Sequence, residues 1–97
     1  MIAMFRDCSN LKSVDLSKFN TTKVIRIDYM FRGCSSLIYL NLKSFKLENT
    51  VTKGGAFDGI SSYVKYCIED NETQIFLEFF IIINSIIFSI FYNIEFK

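Results

Sequence analysis

The residues whose type and spacing first invite a chemical reading are three cysteines. Cys8 and Cys34 stand in like settings, Cys8-Ser9 and Cys34-Ser35, and Cys67 follows in Tyr66-Cys67-Ile68. The sequence contains no His, so the commonest imidazole base and metal ligand is missing. Scattered cysteines without His lack the paired spacing of a zinc site. Cys67 has no identifiable base. The run Glu69-Asp70-Asn71-Glu72 lacks the spacing and the glycine of a calcium loop, and reads as a solvated joint. Asn20-Thr21-Thr22 and Asn71-Glu72-Thr73 fit glycosylation acceptor patterns, relevant only in a eukaryotic secretory route. Asn20 otherwise serves a turn, and Asn71 a loop. No catalytic, cofactor-binding or metal-ligating residue is assigned, no cofactor is expected, and enzyme activity is not expected.

The interval between Cys8 and Cys34 belongs to a wider pattern. Phe5, Phe31 and Phe57 are each 26 apart, as are Phe19 and Phe45. The string Met4-Phe5-Arg6-Asp7-Cys8-Ser9-Asn10-Leu11 returns as Met30-Phe31-Arg32-Gly33-Cys34-Ser35-Ser36-Leu37, and again, eroded, as Ala56-Phe57-Asp58-Gly59-Ile60-Ser61-Ser62-Tyr63. Residues 4–29 and 30–55 share eight identities, all at apolar or small positions except Arg6/Arg32. A period of this length marks units that bury their apolar faces against one another.

Within a unit, Leu11-x-x-Val14-x-Leu16 and Leu37-x-x-Leu40-x-Leu42 alternate as a short, half-buried strand does. Val14 and Leu16 point inward, leaving Ser13, Asp15 and Ser17 outward; Tyr39, Asn41 and Lys43 occupy the same outward row one unit later. Phe19 and Phe45 fill the corner after the strand. Thr21 or Thr22 is then placed to cap a short helix carrying Val24, Ile27, Met30 and Phe31 on one face, with Gly33 ending it. The expected fold is α/β: a short leucine-rich-type solenoid of about two coils, one strand and one short helix each, followed by a hydrophobic C-terminal helix. Neighbouring strands lie about 4.8 Å apart, so a Cys8–Cys34 bridge is sterically open. A ladder of two buried thiols is the plainer reading.

The string Met30-Phe31-x-x-Cys34-Ser35-Ser36-Leu37-x-x-Leu40-Asn41-Leu42-x-x-Phe45 resembles the BspA-like bacterial surface leucine-rich repeat, found also in mycoplasmas. Met4 through Val24 fits the same pattern, including Asp15-Leu16-Ser17 and Phe19-Asn20-Thr21, and the resemblance covers residues 4–62. It implies a surface protein engaged in adhesion or protein contact. After Phe45 the pattern decays, and Lys53-Gly54-Gly55 replaces an apolar helix face. The repeat region is therefore set at residues 1–63, short of the three or so units that close a continuous core. Upstream repeats are expected.

Residues 64–74 form a polar linker, and residues 75–95 a hydrophobic helix. From Phe79 to Ile94 no residue is charged, close to the roughly 20 apolar residues that span a bilayer. Glu78, Ser85, Ser89 and Asn93 fall on one helical side. Membrane association through residues 75–95 is the leading reading. Two others stand beside it: translation of AT-rich sequence, since Phe and Ile dominate everything after Gln74, and a helix capping the repeats. Composition sets the outer limits. Ninety-seven residues hold one small domain, and a formal net charge of +1 gives no electrostatic footprint for nucleic acid. The expected function is a non-catalytic interaction or adhesion module of a cell-surface protein, with a protein or host-surface ligand. The contact surface is Ser13, Asp15, Ser17, Tyr39, Asn41 and Lys43. The alternatives are a cytosolic, tail-anchored adaptor, which needs no export signal, and a gene fragment without independent function.

Overall fold

The structure, a computed structural model, describes residues 1–95, with side chains through Phe91. Its regular elements are β1 (Ser13–Asp15), β2 (Tyr39–Asn41), β3 (Lys65–Cys67) and the long helix α1 (Asn71–Glu95). The strands form a parallel sheet in the order β1-β2-β3. Ser13 pairs with Tyr39 and Tyr39 with Lys65, so the register steps by one full repeat at each strand. The result is a small α/β structure of three stacked layers closed at one end by an apolar helix.

Strand formation follows the alternation. Val14, Leu16, Leu40 and Leu42 are buried, while Ser13, Asp15 and Tyr39 remain exposed. In the third layer the inward position holds Tyr66, half-buried, with its hydroxyl 2.6 Å from Glu78 of α1. β3 lies within residues 64–74, where composition suggested a polar linker, so the sheet has three strands where the sequence suggested two.

The short helix expected in each repeat does not form. Ile27, Met30 and Phe31 are buried as anticipated, but the segment is a series of turns. The reason lies in how its amides are divided. Met30, Arg32 and Cys34 donate three residues back, to Ile27, Tyr29 and Phe31. The amides between them, on Ile27, Tyr29, Phe31 and Gly33, donate instead to Thr52, Gly54, Ala56 and Asp58 in the next layer. An α-helix would keep all of these donors inside its own segment. Splitting them ties each layer to the next, and every one is satisfied.

This division requires left-handed residues at fixed places. Ala3, Tyr29 and Gly55 have φ of 53°, 57° and 65°, and Asp7, Gly33 and Gly59 have φ of 59°, 79° and 77°. Within each set the members are equivalent positions of successive repeats. Gly33 therefore serves the turn ladder and ends no helix; a Cβ there would collide with the Asp7 carboxylate. Thr21 caps no helix either. It is buried, its hydroxyl accepting from the Lys46 amide at 2.9 Å and donating to the Lys46 carbonyl at 3.2 Å.

Phenylalanine rings form the axis of the core. Phe5 stacks on Phe31 with centroids 5.3 Å apart, and Phe31 on Phe57 at 5.4 Å, with interplanar angles of 11° and 8°. Phe76 and Phe80 of α1 then meet Phe57 edge-on, each at 5.9 Å. Phe45 is buried in its corner, whereas Phe19, on the outermost layer, is 40% exposed.

α1 begins at Asn71, before the Ile75 start that hydropathy suggested, because Asp70 is a good cap. Its carboxylate accepts from the Thr73 amide at 3.0 Å and the Thr73 hydroxyl at 2.7 Å. Thr73 and Leu77 are fully buried, and the Thr73 hydroxyl also lies 3.3 Å from the Phe45 carbonyl of the second layer. The Asn84 side chain donates to the carbonyls of Phe57 (3.1 Å) and Ile60 (3.4 Å) and accepts from the Gly59 amide at 3.4 Å. The tail is thus part of the same core as the repeats. Asn93 and its place on the polar side lie outside the residues whose side chains are described.

Phe31 has a ring on each face and no exposed surface. Replacing it with Ala should cost about 3–5 kcal/mol, a large share of the stability of a domain this small. The urea unfolding curve should lose its cooperative transition; an unchanged midpoint would contradict the stacked core.

Candidate functional site

The exposed face of the three-stranded sheet is a surface that the repeat builds from equivalent residues. Register brings Ser13, Tyr39 and Lys65 into one row and Asp15, Asn41 and Cys67 into the next. Ser17 and Lys43 follow where the chain leaves the strands. The six residues expected to form the contact surface thus lie on adjacent layers, but they are not equally free.

Asp15 Oδ1 accepts from the Ser17 amide at 2.9 Å, and Asn41 Oδ1 accepts from the Lys43 amide at 3.0 Å. These are the same side-chain-closed turn in successive layers. Hydrogen bonds from Ser17 hold the Asp15 carboxyl below its ordinary value. The Ser44 hydroxyl donates to the Ser17 carbonyl. Lys43 reaches Glu69 across 3.7 Å, with both side chains more than half exposed, and such surface pairs contribute little. Asp15, Asn41 and Ser17 therefore shape the strand exit. Ser13 and Tyr39 remain available, and Lys65 extends their row onto the third strand.

Lys65 was not among the expected contact residues. Its segment reads as linker by composition, yet adding the repeat length to Tyr39 lands on it. The signal was arithmetic, not chemical. Ile38, next to Tyr39, is 61% exposed and gives the row an apolar margin.

A second cluster lies on the turn side. The guanidinium carbons of Arg6 and Arg32 sit 5.4 and 5.5 Å from the Tyr29 ring centroid. The same ring occupies the space that a Cβ on Gly55 would need, at 2.7 Å. Beside it, Asp28 accepts from the Thr52 hydroxyl (2.6 Å), the Gly54 amide (3.1 Å) and Arg26 Nε (3.2 Å). This network staples adjacent layers through side chains.

Cys8, Cys34 and Cys67 are free thiols. Cys34 is buried and donates to the Phe5 carbonyl at 3.0 Å. Burial, and then proximity to Cys8, pushes its thiol up from the usual value, which makes it a poor nucleophile. Asn20 accepts from both the amide and the hydroxyl of Thr22, the turn role its sequence suggested. Among the described residues, no three Cys, Asp or Glu side chains gather where a metal ion could be held.

α1 is long and apolar enough to cross a membrane by length and composition, over Asn71–Phe91. Its inner side is committed to the third layer as far as Asn84. A family model described as "Mycoplasma protein of unknown function, DUF285" matches residues 1–71. No curated protein and no solved structure matches the chain.

The Asp28 network sets an acid limit. The Thr52 hydroxyl, and then the Arg26 and Gly54 donors, hold the Asp28 carboxyl below its ordinary 3.8. A carboxylate depressed in the folded state contributes stability that is complete above the ordinary range and is lost as pH falls through the folded value. The melting temperature should therefore decline as pH drops below about 5. Asp28→Asn should flatten part of that decline, with Asp15, Asp70 and Glu78, also depressed by hydrogen bonds, contributing to the remainder. An unaltered slope in the variant would show that Asp28 does not couple the layers.

Proposed function

The chain belongs to the DUF285 family, and from that premise we propose that it is a non-catalytic interaction module of a membrane-held surface protein. Its architecture is a short leucine-rich-type solenoid of the BspA-like kind. The repeat-by-repeat strand register and the inter-layer amide ladder support the solenoid reading. The observation that carries the function is the row Ser13–Tyr39–Lys65, one outward residue per layer on neighbouring strands.

Such a row suits recognition of an extended, polar partner surface. Tyr39 supplies contact area with a hydroxyl tip, the combination that interfaces favour. Lys65 adds a positive charge at one end, and Ser13 a small donor and acceptor at the other. Each layer adds one contact position, so affinity grows with the number of layers engaged. α1 holds the module at the membrane, and the expected ligand is a protein or a host-cell surface.

The test is attachment of cells to surfaces coated with the full chain. Tyr39→Ala should reduce attachment about tenfold, as loss of a central aromatic contact does, without lowering the melting temperature. Lys65→Glu should weaken it further at low salt. Equal attachment by wild type and both variants would remove the sheet face from the function.

A further inference from the structure

α1 is apolar on the side that faces away from the protein. On its inner side Thr73 and Leu77 are buried, and Asn84 bonds to Phe57, Gly59 and Ile60. On the opposite side Ile75, Phe79, Ile82, Ile86 and Ile90 recur at intervals of four, three, four and four. Their exposures are 60%, 59%, 59%, 50% and 52%. A helix that merely covers a core turns charged residues outward. Here no charge occurs between Phe79 and Ile94. An apolar row about 22 Å long marks contact with an apolar medium.

Two media offer that contact, a second copy of this helix or lipid. A helix–helix seam is usually flanked by charged residues that set register and partner. The flanks of this row carry Ile83 and Ser89, Glu78 is already bonded to Tyr66 and Gln74, and the exposed Glu72 stands only at the row's first turn. Past Asn84 exposure runs all round the helix, through Ile87, Phe88 and Phe91, which is wider than a seam. Lipid is the better fit.

The seated half of α1 then decides the orientation. Spanning a hydrocarbon core of about 30 Å takes about 20 residues. Docked as far as Asn84, α1 as described (Asn71–Glu95) has only about 16 Å of its own length beyond the repeats. For the candidate span Asn71–Phe91 to cross the bilayer, it would have to leave the third layer, exposing Leu77 and freeing the Gly59 amide. A helix lying flat keeps every one of those contacts. Building on the membrane part of the proposed function, we infer that α1 lies in the plane of a bilayer surface. Its inner face closes the repeat stack, and the row Ile75–Ile90 sinks to the acyl boundary. Lys53 is held over the Phe76 ring with its ammonium 5.1 Å from the centroid, and the chain's formal charge is only +1. Attraction is therefore to the apolar interior of a neutral bilayer, not to anionic headgroups.

The chain has no Trp, so single-Trp variants report cleanly. Phe79→Trp, Ile82→Trp and Ile90→Trp, each in the full chain, are mixed with phosphatidylcholine vesicles carrying brominated lipids labelled at different acyl depths. All three emissions should shift to the blue and be quenched most by the shallowest label, at matching depth. Vesicle association should change less than about twofold between about 0.1 M and about 1 M salt, where screening strengthens several-fold. A depth profile that is deepest toward the middle of the helix would overturn the flat orientation while leaving membrane association standing. No shift with vesicles would overturn both, and a dimeric mass by light scattering would then assign the row to a second copy. As a check on the row itself, Ile82→Glu combined with Ile86→Glu should lower vesicle association at least about tenfold, with the melting temperature unchanged.

Discussion

The fold depends on one hydrogen-bonding rule: along the turn side, every second amide donates to a carbonyl of the next layer, one position short of a full repeat ahead. Ala3, Phe5 and Asp7 reach Asp28, Met30 and Arg32; Tyr29, Phe31 and Gly33 reach Gly54, Ala56 and Asp58. At the last layer the rule continues with a side chain in place of backbone, because Gly59 donates to Asn84 Oδ1 at the same interval. This ladder and the parallel sheet fix the repeat register from two sides. The aromatic stack and the buried leucines can then align between them. The left-handed residues at positions 3, 7, 29, 33, 55 and 59 are the conformational cost of alternating the donors.

Closure of the core follows from the same economy. Two layers would leave most large side chains with an open face, and three still leave both ends uncovered, the third-layer end among them. α1 covers that end. It sets Phe76 and Phe80 edge-on to Phe57, buries Leu77, and brings the Asn84 side chain to backbone groups of the final layer. Its inner side thus meets requirements that a further repeat would otherwise meet. Its outer side meets none of them, and its composition is free to suit a membrane.

Much of this was legible in particular residues. Val14, Leu16, Leu40 and Leu42 named the strands and their inward faces, and Phe5, Phe31 and Phe57 named the stack. The helix expected at Val24–Phe31 fails because spacings of three, three and one suit both a helical turn and consecutive tight turns; periodicity locates the buried side but not the destination of the amides. Tyr29 at positive φ could have warned against a helix, yet nothing in its identity reveals its φ. β3 was hidden because Tyr63 and Tyr66 stand where the pattern has Leu37 and Leu40, in the layer that meets α1 instead of another repeat. Of the outward strand positions, the exposure of Ser13 and Tyr39 follows from alternation alone. Asp15 and Asn41 were placed correctly too, but their use in closing the strand-exit turns depends on local geometry that alternation does not encode.

Through-hydrogen-bond N–C′ couplings in an isotopically labelled sample test the ladder directly. The account predicts couplings from the Tyr29 nitrogen to the Gly54 carbonyl carbon and from the Phe31 nitrogen to the Ala56 carbonyl carbon. A coupling from Phe31 to Ile27 instead would mean that a helix occupies the turn side, and the stacked-layer account would be wrong.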